Sequence, residues 1–375
     1  MADFDFIVIG AGMAGASASC ELAAQGRLLM LEQEDQPGYH TTGRSAALYA
    51  ETYGNATVRG LTTGGKPFYL DPPAGFAAHP LLLPRGVVFI GRADQRRSLD
   101  AFLAEVSGLR SNIRRIAPAE VEGRVPVFRP GYVADAVLDP DAMDIDVHGL
   151  HQGYLKGMRA RGGQLLTDAR VTGLARQDGR WRVESKAGSF SGRVIVNAAG
   201  AWADEIGSLA GAAPIGLVPK RRTAIQFRPP AGMDVMRWPT IIDADEQFYF
   251  RPDAGKLMAS PADETPMPPC DVQPEDLDIA ILVDRLEQAV TMPIPRIEHR
   301  WAGLRSFVAD KTPVVGYDER VADFFWLAGQ GGYGIQTAPG IAKLVAALAQ
   351  RKPVPQELAD LGVTEAALSP ARLRR

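Results

Sequence analysis

The sequence predicts an α/β protein. A Rossmann-like dinucleotide-binding domain, assembled from separate stretches of chain, is joined to an α+β domain built on an antiparallel sheet. Three observations predict it. The first 32 residues read as strand, glycine turn, helix, strand and terminal acid. Buried-strand runs return at Arg193-Val-Ile-Val-Asn197 and Phe324-Phe-Trp-Leu-Ala328, far from that start. Between them lie short or alternating strands, as antiparallel sheets use.

Phe6 to Ile9 is apolar and β-branched, which suits a central parallel strand. In Gly10-x-Gly12-x-x-Gly15, the first glycine allows the tight turn, the second lets backbone approach a pyrophosphate, and the third lets helix and strand pack closely. An Ala-rich helix is expected from about Met13 to Gln25, stopped by Gly26. Its N-terminus aims free N–H groups at a phosphate. Arg27 to Leu31 is the second strand. Glu32 falls about 20 residues beyond the turn, where a carboxylate accepts from ribose hydroxyls and repels a 2′-phosphate.

A polar loop follows, with Thr41-Thr42-Gly43-Arg44-Ser45 offering hydroxyls, amides and one fixed charge to a diphosphate. From about 50 to 140 the βαβ rhythm is lost. A strand is expected at 86–91, short helices at 97–106 and 117–122, and a strand at 133–138. Helical period returns at Val147, Leu150, Tyr154 and Met158, with Asp146 as N-cap. Strands follow near 164–167, 171–174, 180–185 and 189–194, then the buried run into Asn197-Ala-Ala-Gly200-Ala-Trp202. Residues 222–227, 240–243, 248–251 and 256–259 read as the antiparallel sheet, 274–290 as an amphipathic helix, and 335–350 as the last helix. The expected boundaries are 1–50, 140–216 and 306–375 for the nucleotide domain, and 51–139 and 217–305 for the other.

Composition sets limits. With 46% hydrophobic and 23% charged residues, the chain has the make-up of a globular protein, and a net charge of −3 gives no electrostatic case for nucleic acid. Cys20 and Cys270 form no metal or redox motif. The chain shows no basic leader and no apolar run near the ~18 residues that span a bilayer. A cytoplasmic protein, at most peripheral to the inner membrane, is therefore expected. Asp144-x-Asp146-x-His148-x-x-His151 invites a metal reading, but it matches an acid-capped helix start better, and no metal is expected.

Taken in order, Gly10-x-Gly12-x-x-Gly15 with Glu32, Thr42-Gly-Arg-Ser45, Asn197-Ala-Ala-Gly200-Ala-Trp202, Trp301-Ala-Gly-Leu-Arg305 and Gly329-Gln-Gly-Gly-Tyr-Gly-Ile-Gln336 resemble the D-amino-acid oxidase (DAO) family of glutathione-reductase-type flavoproteins. The resemblance covers essentially the whole chain. Pro37-Gly-Tyr-His, Leu150-His-Gln-Gly-Tyr-Leu and Pro219-Lys-Arg-Arg are similar to the D-arginine dehydrogenase branch. The resemblance implies non-covalent FAD and oxidation of a D-amino acid to its imino acid. It also implies a monomer that passes electrons to a quinone or another acceptor, with oxidase activity left open.

By that resemblance the cofactor contacts fall on Gly10, Gly12, Met13, Ala14, Gly15, Glu32 and Gln33 near the first turn. Further contacts fall on Thr42, Gly43, Arg44, Ser45 and Ala46, on Val171, Ala199, Gly200 and Trp202, and on Gly331, Gly332, Tyr333, Gly334 and Ile335. Arg222, Arg305 and Tyr249 are expected to hold the substrate carboxylate, which arginine's planar fork matches. Tyr53, Gly332 and Gln336 complete the catalytic set. Lys220-Arg221-Arg222 has the competing reading of a solvated charge run. The substrate pocket is expected at Leu48, Ala50, Val87 and Ile335. In Pro84-Arg85-Gly86-Val87 the related enzyme has a glutamate at the last position; Leu48 and Ala50 likewise replace polar residues. Neutral or hydrophobic D-amino acids are therefore expected, with Glu51 as the one acid able to substitute. Imino acids, N-methyl amino acids, 2-hydroxy acids and a non-catalytic FAD-binding subunit are the alternatives.

Overall fold

The computed structural model describes residues 3–109 and 112–374. β1 (Asp3–Ile9) runs through the glycine turn into α1 (Met13–Leu22), and β2 (Leu28–Leu31) returns parallel to it. α1 is shorter than the sequence suggests and ends at Ala23. Gly26 is not its cap: a Cβ there would lie 2.7 Å from Asp5 Oδ2, so the glycine makes room for Asp5.

α2 (Ala56–Leu70) was not anticipated, because Gly60, Gly64 and Gly65 lower its helix propensity. Asn55 caps it, accepting from Val58 N–H at 3.1 Å. β3 (Val87–Gly91) and β4 (Asp135–Asp139) pair antiparallel. α3 (Val147–Ala160) starts at Asp146, whose carboxylate accepts from Gly149 N–H at 2.8 Å. β5 (Gly188–Asn197) is one strand of 10 residues where the sequence suggests two.

β6 (Val218–Phe227), β7 (Thr240–Asp243), β8 (Tyr249–Asp253) and β9 (Lys256–Ser260) match the expected strands and pair antiparallel with one another, but β7 also pairs parallel with β3, so the sheet is mixed; α4 (Asp276–Ala289) follows. β10 (Ile297–Phe307) was read only as a motif, yet it is an 11-residue strand. β11 (Phe324–Ala328) leads through a glycine loop to α5 (Ala338–Leu348).

Among the described residues two large sheets result, of eight and nine strands. In the first, β2, β1, β5 and β11 lie side by side and parallel. Fully buried Ile7, Val8, Val196 and Phe325 fill both of its faces, with α1, α3 and α5 on one side. In the second sheet β6 pairs with β9 and β10, and α4 closes an apolar core around Ile225, Phe250 and Leu282.

α2 departs from the expected boundaries. It packs on α5 within the first core, through Leu61, not with the second sheet. The approach is backbone to backbone, since a Cβ on Gly340 would lie 2.2 Å from Leu61 O. Among the described residues no helix is long and apolar enough to cross a membrane.

Candidate active site

The first turn is built on close contact. Gly10 has φ +101°, and a Cβ on it would lie 2.4 Å from Ala198 O. A Cβ on Gly15 would lie 1.9 Å from Gly10 O, whereas one on Gly12 would meet only Thr42 Oγ1, at 3.3 Å. Two glycines are thus needed for packing, and the third leaves open space beside the helix N-terminus. Met13 N–H donates to Thr42 Oγ1 at 2.9 Å. Glu32 is buried and accepts from Ala11 N–H at 2.7 Å and Glu34 N–H at 3.1 Å. Burial raises its carboxyl pKa, with those N–H bonds opposing. Asn197 staples the neighbouring turn, donating to Ala203 O at 2.8 Å.

A cleft of about 600 Å³ opens over this turn, within the size of cofactor sites. One end is lined by Glu32, Gln33 and Val171, the middle by Met13, Ala14, Thr42, Ser45, Ala46, Ala199, Gly200 and Trp202. The far end is lined by Arg222, Tyr249, Arg305, Gly331, Gly332, Gly334 and Ile335. Three of the expected contacts lie off this surface: Gly15 and Gly43 serve turn packing, and Tyr333 faces Tyr53. The sequence missed two polar liners. Ser306 Oγ and Gln330 Nε2 are buried without a partner among the described residues. Orphaned groups in an elongated cleft fit an extended, polar-edged ligand such as FAD.

Arg44 lines the cleft, but its guanidinium is otherwise engaged. It pairs with Asp271 at 2.5 Å and donates to Val272 O and Ala302 O, each at 3.1 Å. It therefore ties the loop to the second sheet and is not a free charge for a diphosphate. The supposed metal cluster is dispersed in the same way. Asp144 pairs with Arg85 and Arg251, Asp146 caps α3, and buried His151 contacts Ala11 O through Nε2 at 2.9 Å. Burial lowers the His151 pKa, so the ring is neutral and donates, propping the glycine turn.

At the far end, the charge-run reading of 220–222 fails. Arg221 is 2% exposed and Arg222 8%. Arg221 is held by Asp263, Glu275 and Asp278 beneath the sheet. Arg222 points to the cleft, with Nη2 3.3 Å from Glu264 and its Nε unpartnered. Arg305 is half-buried and has no ion-pair partner among the described residues. Burial would lower its pKa, but Tyr53, Tyr249 and Glu246 outweigh that and raise it.

Tyr53 stacks edge-on against Tyr333 at 4.9 Å between ring centroids. Burial raises its pKa despite the nearby Arg305, so the phenol stays a donor. Behind it Leu48, Ala50, Val87 and Ala142 pack with Phe89 and Ile242 in one apolar cluster. Glu51 turns away from this cluster, pairing with Lys66 at 2.6 Å and accepting from Tyr49 at 3.0 Å. Gln336 is committed too. It donates to Thr62 at 3.0 Å and accepts from Ala50 N–H at 3.3 Å, so it braces the 48–53 segment and does not face the cleft.

A parallel-sheet cleft with a glycine turn and a buried acid at the end of its second strand, facing an arginine-bearing sheet, fits the class of dinucleotide-dependent oxidoreductases. Residues 5–348 match the DAO family of FAD dependent oxidoreductases, and the chain belongs to it. Mitochondrial dimethylglycine dehydrogenase of Mus musculus is 28% identical over 251 residues, which cover 61% of this chain and 28% of that protein. Mitochondrial sarcosine dehydrogenase of Mus musculus is 24% identical, over 91% of this chain and 39% of its own. This chain thus spans well under half the length of either relative. Glycine oxidase from Geobacillus kaustophilus superposes with a TM-score of 0.83 at 19% identity, covering 94% of this chain and 96% of that one. These relatives are named for N-methylated glycines and glycine. The narrower likeness to D-arginine dehydrogenase rests on the sequence segments alone.

Proposed function

We propose that this protein oxidises the Cα–N bond of an amino acid, with neutral or hydrophobic D-amino acids as preferred substrates. The observation that carries the reading is Arg305: a half-buried guanidinium without a carboxylate partner, beside Arg222 and Tyr249 in a dinucleotide cleft. A buried cation costs free energy unless it meets an anion. A substrate carboxylate supplies that anion, and the planar fork orients it. Tyr249 lines the same end, and Tyr53 keeps its proton and can donate to the same ligand.

FAD held along the cleft by residues such as Thr42, Ala199 and Gly200 would supply the hydride acceptor for Cα. The chain's own residues align that carbon by fixing the carboxylate. The side chain extends toward the apolar cluster of Leu48, Ala50 and Val87, which lies behind the present cleft surface; Glu51 is held by Lys66 and Asp139 by Thr52, so neither is free for a cationic group. The substrate amine gives one proton to water to become neutral before the hydride leaves Cα, and a second water hydrolyses the imino acid to a 2-oxo acid and ammonia. A quinone or a comparable acceptor then takes the electrons.

A second reading is an N-methylated glycine substrate. The names of the two mouse relatives support it. Anaerobic titration of the yellow protein separates the two, read as loss of flavin absorbance. Bleaching by D-leucine or D-methionine, with D-arginine poor and L-forms silent, is the expected result. Bleaching by sarcosine or dimethylglycine alone would replace the first reading with the second.

A further inference from the structure

We infer that Glu264 decides whether the substrate end of the cleft accepts a ligand with one carboxylate or with two. This rests on the carboxylate-binding reading above. The inference starts from two consecutive acids that part to opposite faces of β6. Asp263 accepts from Thr223 N–H at 2.6 Å and lies 3.4 Å from Arg221 Nε; Arg221 also reaches Asp278 of α4 at 2.7 Å. That is the covered face. Glu264 serves the face that carries Arg222, just behind the cleft lining, with Oε2 2.8 Å from Lys220 Nζ and Oε1 3.3 Å from Arg222 Nη2. Side chains of a strand alternate between faces, so Lys220 and Arg222 share a face and Arg221 does not.

Lys311 adds a third cation, 3.9 Å from Glu264 Oε2. Among the described residues, Glu264 is the carboxylate partner of Lys220, Arg222 and Lys311 alike. Burial acts to raise its pKa, but the three cations hold it below the usual glutamate range, so it is ionised at neutral pH. The Lys220 and Lys311 ammonium groups lie 5.5 and 5.6 Å from the Phe307 ring centroid. Phe307 in turn packs against the cleft loop: a Cβ on Gly331 would lie 2.1 Å from its ring, and Tyr333 is 6.1 Å away between centroids. The cation group therefore borders the wall that carries Arg222 and Arg305.

The consequence is a division of charge. Arg305 has no ion-pair partner among the described residues, Glu246 and Glu264 acting on it only from a distance, and receives one from the substrate. Lys220 is paired to Glu264 at 2.8 Å, and Lys311 lies 3.9 Å from the same carboxylate. A second substrate carboxylate near them would meet the Glu264 charge, and like charges brought together at a recognition site repel. Glu264 thus acts as a specificity-determining residue that turns dicarboxylates away.

The test uses the flavin-loaded protein and two non-reacting four-carbon ligands, butyrate and succinate, with perturbation of flavin absorption as the readout. Glu264→Gln keeps shape and removes charge. The variant is expected to strengthen succinate relative to butyrate about tenfold. High salt, or adding Lys311→Ala, should erase the gain, which a merely structural role for Glu264 would not produce. An unchanged succinate-to-butyrate ratio, with both ligands still binding, overturns this inference alone. Failure of both ligands to perturb the flavin in either protein overturns the carboxylate-binding reading and this inference with it.

Discussion

Arg222 and Arg305 are diagonal neighbours across one pair of strands. In the β6–β10 ladder Arg222 stands opposite Gly303, and Arg305 stands opposite Lys220. The two-residue offset keeps both guanidiniums on one face, because strand side chains repeat every second residue. Register, not loop conformation, sets the spacing of the proposed carboxylate clamp. Gly303 between them leaves the face open to the cleft.

Arg305→Ala is expected to retain flavin and lose turnover. Truncating one member of a buried charge pair costs roughly 2–5 kcal/mol, or at least about 30-fold in kcat/KM. Steady-state kinetics beside a flavin-to-protein ratio tests this. Full kcat/KM in the variant would remove Arg305 from substrate binding.

Gly332→Ala acts on the same arginine from the other side. The added Cβ would lie 3.0 Å from Arg305 Nη1 and 3.2 Å from Cζ, so the guanidinium must shift. KM is expected to rise by about an order of magnitude while flavin stays bound, since misplacing a positioning group costs up to ~10²-fold. Equal KM values for variant and parent would show that Arg305 adjusts freely.

Gly15→Ala should empty the cofactor site. The new methyl would meet backbone, at 1.9 Å from Gly10 O, and backbone in a packed turn has nowhere to go. The measurement is the visible-to-ultraviolet absorbance ratio of purified protein. A fully yellow variant would mean the turn tolerates displacement.

Val87→Glu puts an acid into the apolar cluster. Val87 is 1% exposed, so the new carboxylate lacks water and a partner. A lower Tm without ligand is expected, together with a shift of kcat/KM from D-leucine toward D-arginine. Unaltered preference would separate this cluster from the substrate side chain.

Acid stability should depend on Asp318. Burial opposes its ionisation, yet Arg374 and the Trp326 indole N–H hold its carboxyl down at about 2, against 3.8 unfolded. A depressed pKa contributes stability above the unfolded value and loses it as pH falls through the folded value. Asp318→Asn should therefore melt below the parent at pH 7, with the gap closing between about pH 4 and pH 2. Melting curves across that range check it; a constant gap would exclude a charge effect.

The residues that could be read from sequence are those whose role is local. Gly10, Gly12, Gly15 and Glu32 act within one βαβ unit, so their spacing carries the information. Asp146 was legible as a cap for the same reason. Arg44, Gln336 and Glu51 were not, because their partners Asp271, Thr62 and Lys66 are set by tertiary packing. α2 was hidden because its glycines, poor in propensity, are what let it approach α5. Lys220-Arg221-Arg222 kept a competing reading as a solvated run beside the carboxylate-binding one, because strand alternation, and the acids waiting on each face, are invisible in three consecutive letters.

The chain order of the first sheet bears on how the protein is made. β1 pairs with β5, which pairs with β11, and the loop after β11 closes the cleft. Nothing resembling a finished flavin pocket exists on the ribosome until residues beyond 335 have emerged. The glycine turn must wait for more than 300 further residues before all of its partners are made. Cofactor capture therefore has to follow the emergence of the loop after β11, however early the glycine turn is made.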